Sequence, residues 1–329
     1  MIALWAKGIL GQNLALRMLD SAMSREMLSQ SYIFSGPSGV GRKLTALRLA
    51  MAIQCEEGYG SGCGQCSSCQ KLLRGTHPDW HLLEPDGVNI RIDQIRELHV
   101  TISRRPHQGR RRIAVIDPAE KMNEPSANAL LKLLEEPPAD SLLVLISSNP
   151  LQLLPTIRSR CQTIRFNPLS LSDLSAFLPE STPEAKRMTV LRCAGGSVGK
   201  LLSLTEDEDW DEGRHQGVAW YLEEPSWNLS QRMKFSEERD EQWRNRLPWQ
   251  EMLRDWQSLT RDRLMMEHGI RENGVWNPDV AENLRRMPGL SPKQLMLRVV
   301  QLDEAMGQIE SNTPPRLVAE SLLLSWIGS

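Results

Sequence analysis

Four of the six cysteines, Cys55, Cys63, Cys66 and Cys69, fall within fifteen residues at the spacing C-x7-C-x2-C-x2-C. Four thiolates are what a closed tetrahedral zinc site takes, and glycines at 58, 60, 62 and 64 let the chain turn back on itself between them. In a reducing compartment such a cluster points to a metal rather than to disulfides. No open coordination position or neighbouring catalytic group is evident, so the expected role is structural. His77 and His81 are metal ligands by type but read here as ordinary polar residues.

A second constellation is Gly36-Pro37-Ser38-Gly39-Val40-Gly41-Arg42-Lys43. It follows the phosphate-loop pattern, in which backbone N–H groups and a helix N-terminus cradle phosphate. Gly36, Gly39 and Gly41 stand where the pattern needs them. The next two places call for a lysine for the outer phosphates and a hydroxyl for Mg²⁺, and Arg42 and Lys43 occupy them. Lys43 cannot slide back one place, because neighbouring helical residues point about 100° apart. Thr45 is likewise misplaced as a metal ligand. The strand that should end in two carboxylates ends in Asp117-Pro118, and Glu120, three residues after Asp117, is poorly placed as a substitute base. Binding of phosphate by the loop amides stays open; hydrolysis is not expected.

Two basic features remain. Leu153-Leu154-Pro155-Thr156-Ile157-Arg158-Ser159-Arg160-Cys161 sets two arginines in an apolar stretch, where a guanidinium can serve a salt bridge or stabilise phosphoryl charge on a neighbouring molecule. Arg104, Arg105, Arg110, Arg111 and Arg112, with His107, form the dense basic segment. It reads either as a contact for nucleic-acid phosphates or as a solvated loop.

The elements that must hold these groups follow from periodicity. Tyr32–Ser35 is a β-prone run before the glycine loop, and Leu44, Leu47 and Met51 follow at helical spacing. Val88–Ile92 leads into a helix around Ile95, Leu98 and Ile102. Ile113–Ile116 and Leu142–Ile146 are apolar throughout, as strands buried on both faces are. Between them Ala127, Leu130, Leu131 and Leu134 mark one helix face that Pro137-Pro138 terminates. Strands alternating with helices predict a parallel α/β sheet. Past Asn167 the pattern is helical. Leu171, Leu174 and Leu178 open a small unit that runs to a stop at Gly195-Gly196, Glu206–Asp209 reads as a linker, and helix starts are expected at Ser291-Pro292 and Thr313-Pro314. The expected domains are 1–167 with the cysteine module at 55–69, a helical lid over 168–208, and a helical domain over 209–329.

The length of 329 residues exceeds the usual span of a single core. A composition of 40% apolar and 24% charged residues fits an ordinary soluble protein. With a net charge of −2, any nucleic-acid contact must come from a local patch. The absence of a long apolar run and of a secretory leader pattern predicts no membrane association and a cytoplasmic location.

Ala127-Asn128-Ala129-Leu130-Leu131-Lys132-Leu133-Leu134-Glu135-Glu136-Pro137-Pro138 and the Ser159-Arg160-Cys161 triplet resemble the signature of the bacterial DNA polymerase III clamp-loader family. His77-Pro78-Asp79 and Ile92–Glu97 add to the likeness, and the cysteine module is shared with the gamma/tau and delta-prime branches. The resemblance is strong over residues 8 to 168 and faint in the C-terminal domain, where mainly Asn312 to Leu324 fits. The degraded phosphate loop favours the delta-prime branch. The resemblance implies an AAA+ type fold with a lid and a C-terminal collar domain. It further implies a pentamer with gamma/tau and delta that loads the sliding clamp onto primed DNA, as part of the DNA-directed DNA polymerase holoenzyme. In that setting structural zinc sits at the four cysteines, ATP is bound by neighbouring subunits, and Arg160 reaches the ATP of the next one. Two other readings are an active gamma-like ATPase that uses Arg42 or Lys43, and a zinc-dependent DNA-binding module. Near-neutral charge and the lack of aromatic-basic interleaving near the cysteines weigh against the latter.

Overall fold

The computed structural model describes residues 4–207, 210–242, 246–269, 274–311 and 313–327. Glu208 and Asp209 of the expected linker, and Asn312 at the head of the C-terminal match, lie outside the described residues. The chain packs as two compact units, one of residues 1–177 with 194–202 and the other of 178–193 with 203–329. Each half of the stretch 168–208 therefore has its own packing partner. Leu171–Phe177 and Ala194–Leu202 pack with the first unit, and Leu178–Cys193 with the second.

In the first unit α1 (Asn13–Ser24) precedes β1 (Ser31–Ser35), then α2 (Arg42–Gln54) and α3 (Ser67–Leu73). β2 (Trp80–Leu83), α4 (Ile92–Ile102), β3 (Arg112–Ile116), α5 (Glu124–Glu135) and β4 (Ser141–Ser147) follow. The short α6 (Pro155–Arg158) and β5 (Gln162–Arg165) complete the sheet, and α7 (Leu171–Ser175) lies beyond it. All pairings are parallel, in the order β2-β3-β4-β1-β5. Every residue of β3 and β4 is buried, as the apolar runs predict for strands covered on both faces. β2 and β5 escape that pattern because they are the edges. β5 buries only Ile164, and β2 is half-buried along its length. The stretch Val88–Ile92 makes only isolated bridges, Ile90 pairing with Met122. On one sheet face Ile95, Leu98 and Ile102 of α4 meet Leu130, Leu133 and Leu134 of α5 over Ala114, Ile116 and Leu145. Leu133 replaces Leu131, which is only partly buried.

The second unit holds α8 (Glu184–Cys193); α9 (Val198–Glu206) begins in the first unit and ends in this one. α10 (Trp210–Glu223), α11 (Leu229–Gln242), α12 (Leu247–Glu267), α13 (Ala281–Arg286), α14 (Pro292–Glu310) and α15 (Pro315–Ser325) follow. Ser291 caps α14 with a reciprocal Gln294 contact, as its Ser-Pro start predicts. α15 begins one residue later than expected, with Pro314 rather than Thr313 at the cap position. The core is aromatic. Trp249, Trp256 and Trp326 are fully buried, Trp256 stacks on Trp326 at 5.7 Å, and the Tyr221 hydroxyl meets Thr260 Oγ1 at 2.9 Å.

The basic segment is organised from beneath by a residue that charge pattern alone does not single out. Asp79 is fully buried, and its carboxylate accepts the backbone N–H groups of His107 (2.6 Å), Gln108 (2.8 Å) and Gly109 (2.8 Å), with Arg112 Nε at 3.9 Å. Burial pushes the carboxyl pKa up, but the three amides and the Arg112 charge outweigh it and hold it below its usual value. Gln54 adds a second tie, accepting from Arg110 N at 2.6 Å and donating to the Arg111 carbonyl at 2.5 Å. Arg112 itself is buried, whereas Arg104, Arg105 and Arg110 are exposed. A depressed carboxylate pKa contributes stability above the unfolded value of about 4 and loses it as pH falls through the lower folded value. Asp79→Asn should therefore cost about 1–3 kcal/mol at pH 7, and its deficit should shrink as the pH is taken well below 4. Urea unfolding of both chains at several pH values would check this; a deficit independent of pH would assign the loss to shape rather than charge.

Candidate functional site

The phosphate loop leaves the C-terminal end of β1, beside the ends of β4 and β3, where open parallel sheets place their ligands. Gly36 N donates to Ser147 O at the end of β4. Gly39 has φ +74°, and a Cβ there would lie 2.2 Å from Ser197 Oγ and 3.0 Å from Gly199 N, so the loop can close on the 197–199 turn only with glycine. Gly199 N in turn donates to Gly39 O at 3.1 Å. Gly41, at φ +100°, turns the chain into α2. Gln12, almost fully buried, braces the loop by donating to Val40 O and Asn167 O and accepting from Asn167 N. Nothing in the local sequence around Gln12 signals this role, since its partners are backbone atoms 28 and 155 residues away.

Beside the loop lies a cavity of about 370 Å³, within the first unit. Loop residues Ser38–Lys43 and Asp117 form its polar side, and Ile9, Leu10, Leu169, Phe177, Val198 and Leu202 its apolar wall. A flat apolar ring with an anionic tail suits that lining.

The two departures from the phosphate-loop pattern have defined geometry. Arg42 is buried in the first turn of α2, with Nη2 3.2 Å from Ser148 Oγ and Nη1 without a hydrogen-bond partner. Burial pushes its pKa down, opposed by the negative charges of Asp117 and Glu120. Burial likewise raises the Asp117 pKa, against the pull of Lys43 and Arg42. Lys43 instead pairs with Glu84 at 2.6 Å on the surface. The Thr45 hydroxyl is spent on Gly41 O at 2.8 Å. Glu120 Oε1 accepts from Ser148 N at 2.9 Å, while its Oε2 is buried without a hydrogen-bond partner.

Arg160 lies just past α6, exposed, with Nη1 on Thr156 O (3.0 Å) and Nη2 on Glu135 Oε1 (2.7 Å). Arg158 is half-buried, and the neighbouring Cys161 thiol is pushed up to about 12 by burial.

The cysteine module bridges α2 and α3. Cys55 ends α2, and Cys66 caps α3 by accepting from Cys69 N. The four Sγ atoms lie within 4.8 Å of one another, with Cys55 and Cys69 buried. A tetrahedral zinc with Zn–S bonds of about 2.3 Å needs S–S edges of about 3.8 Å, so small side-chain adjustments bring these sulfurs onto an ion. N–H groups of Cys63, Gln65, Cys66 and Cys69 point at sulfurs of the set at 3.3–3.5 Å, as suits sulfur carrying negative charge. Burial raises the Cys55 thiol, but amide and neighbouring-thiol hydrogen bonds bring it down to about 7, while burial drives Cys69 upward. His77 is buried outside the set, between Ser68 Oγ (3.2 Å) and Asp79 N (3.1 Å), and His81 lies 3.5 Å from Arg112 Nη1. Neither histidine belongs to the cluster, which is the one thiolate group of this kind among the described residues.

Residues 11–170 match the family model described as DNA polymerase III, delta subunit. The chain is 31% identical over 206 residues to DNA polymerase III subunit delta' of Bacillus subtilis, covering 63% of each chain. It is 41% identical over 181 residues to the Pseudomonas aeruginosa subunit of the same name, covering 53% of this chain and 55% of that one. The chain thus spans somewhat under two thirds of the length of these relatives. A solved gamma subunit-related protein of Thermotoga maritima is 16% identical, with TM-score 0.48, covering 93% of this chain and 97% of that one. Residues 11–170, just under half of the chain, are thus similar to the DNA polymerase III delta-subunit family, and the relatives matched there are DNA polymerase III delta' subunits.

Proposed function

We propose that this chain is a non-hydrolytic delta-prime type subunit of a clamp loader. In this reading an AAA+ type domain over 1–167, a lid over 168–208 and a collar domain over 209–329 assemble with gamma/tau and delta subunits to place a sliding clamp on primed DNA. The observation that carries the loss of hydrolysis is the pairing of Lys43 with Glu84. It commits the residue at the Mg²⁺ hydroxyl position, an ammonium rather than a hydroxyl, to an ion pair at the cavity edge, while Thr45 and one oxygen of Glu120 are engaged with backbone.

What this chain supplies is then a charge to a neighbour. Arg160 is exposed, and its partner Glu135 is half-exposed. Exchanging such a pair for a phosphate costs little, since an exposed ion pair is worth about 1 kcal/mol at most. A planar guanidinium released from Glu135 presents parallel N–H donors that match phosphoryl oxygens.

When bound, zinc would join α2 to α3 through Cys55, Cys63, Cys66 and Cys69 and supply folding energy rather than a reaction. The purified chain should carry one equivalent of zinc, and chelation should free four further thiols to a thiol reagent. If serine at each of the four positions left the zinc content unchanged, the site would be misassigned.

Isolated chain should show no steady ATP turnover in the presence of Mg²⁺. Turnover that disappears in Arg42→Ala or Lys43→Ala would instead establish an active, gamma-like ATPase.

In a complex with gamma/tau and delta, Arg160→Ala should assemble normally yet slow hydrolysis at the adjacent site by about 10³-fold or more. Total turnover falls less, because the other sites keep their own arginines. Arg160→Lys should recover little, since it keeps charge but not the planar donor pair. Arg158→Ala is the control for charge alone. Unchanged DNA-stimulated ATPase in both alanine variants would remove the trans role.

A further inference from the structure

The helical unit contains a second cavity, of about 470 Å³, whose walls carry an unusual charge balance. Arg232, Arg263 and Arg298 all line it, and each is at least 95% buried. Among the described residues, the buried carboxylate that pairs with these guanidinium groups is Glu224. It pairs with Arg232 through Oε1, and with Arg298 at 3.1 Å through Oε2, so its two oxygens are both committed. Arg232 is further held by the carbonyls of Leu323, Trp227 and Glu224, and Arg298 lies over the Trp326 ring at 4.3 Å. Among the described residues no carboxylate pairs with Arg263, whose polar surroundings include the buried Tyr221 hydroxyl. Arg263 Nη2 donates to Pro288 O at 2.6 Å, while Nη1 is buried without a hydrogen-bond partner.

A buried charge without a counter-charge is expensive, and guanidinium cannot shed its proton to escape the cost. Burial already depresses the Arg298 pKa, with the Arg263 charge adding to that and Glu224 opposing it. Three arginines and one carboxylate leave an excess of two positive charges beside the cavity, where a doubly charged oxyanion would balance them. Trp227, Pro225 and Leu290 also line the cavity, so it offers apolar surface to an organic group attached to the anion.

We propose that this cavity is a binding site for a phosphate-bearing ligand, a phosphomonoester-class dianion held by Arg263 with Arg232 and Arg298 behind it. The site lies within the helical unit and is independent of the phosphate loop. The pattern is absent from the sequence motifs because its parts come from α11, α12, α14 and the turn at Glu224.

The test uses the full chain, with inorganic phosphate as probe against acetate and chloride at matched ionic strength. Phosphate should raise the unfolding temperature in the low millimolar range, beyond acetate, and chloride should have no effect. Arg263→Met should weaken that response about tenfold or more, as loss of a charge-assisted contact does. Because removing Arg263 can disturb folding, Gly289→Asp is the second variant. A Cβ at Gly289, on the cavity rim, meets nothing within 4 Å. The new carboxylate should raise the unfolding temperature without phosphate and abolish the phosphate response. Stabilisation by acetate equal to that by phosphate would reassign the site to carboxylates and overturn the proposal. So would no phosphate effect, or a phosphate effect that survives in Gly289→Asp.

Discussion

A guanidinium buried in the first turn of α2 sets the character of the sheet unit. Position 42 opens a helix whose first residues, Arg42 to Leu44, line the cavity, and a lysine there could extend its ammonium toward a bound phosphate. Arg42 turns instead to Ser148 at the end of β4, beneath the carboxylates of Asp117 and Glu120. Those carboxylates are then partly neutralised from within the protein. The groups that would otherwise recruit a metal ion already have a cation beside them, and Lys43 is left to the surface with Glu84. In the proposed non-hydrolytic reading, the change is a coordinated rearrangement of one strand-end cluster rather than two separate substitutions.

The scaffold around this cluster keeps the features that chemistry does not require. Gly39 still makes its close approach to the 197–199 turn, and Gln12 still ties the loop to Asn167. These contacts hold the end of the sheet against α9 and the chain leaving β5, the segment that starts just after Arg160. Rigidity at the phosphate loop would therefore carry over to Arg160, the residue proposed to act on a neighbour. The cysteine module serves a similar purpose. It closes the long connection between α2 and β2, and Gly62 packs against Trp5 near the start of the chain. A metal bound there would replace apolar core that a short, glycine-rich loop cannot supply.

Much of this was legible in residue order. Central strands β3 and β4 declare themselves by unbroken apolar runs, the phosphate loop by glycine spacing and the cysteine module by its count of thiols. The edge strands β2 and β5 do not, since a strand paired on one side needs only one or two buried residues, and Trp80-His81-Leu82-Leu83 has no alternation to betray it. Asp79 and Gln12 were illegible for a different reason. Their partners are backbone N–H and C=O groups, which every residue carries, so sequence holds no complementary signal. The basic segment shows the converse. A run of arginines suggests a single surface, yet Arg112 is buried against Asp79 while Arg104, Arg105 and Arg110 face solvent.

The two units contrast in how they treat buried arginine. In the sheet unit Arg42 has two carboxylates within electrostatic reach, and Arg112 has Asp79. In the helical unit Arg214 is matched by Asp279 at 2.6 Å and by Asn277. Each of these is an internally balanced set, and its geometry is explained by the fold alone. The cluster of Arg232, Arg263 and Arg298 is the departure, with Glu224 shared between two partners and, among the described residues, no carboxylate paired with the third. Folding energy alone would favour replacing Arg263 by an apolar residue, because a buried ion without a partner is less stable than a methylene chain in the same place. The excess positive charge that the fold leaves at this cavity is what the proposed anion would balance.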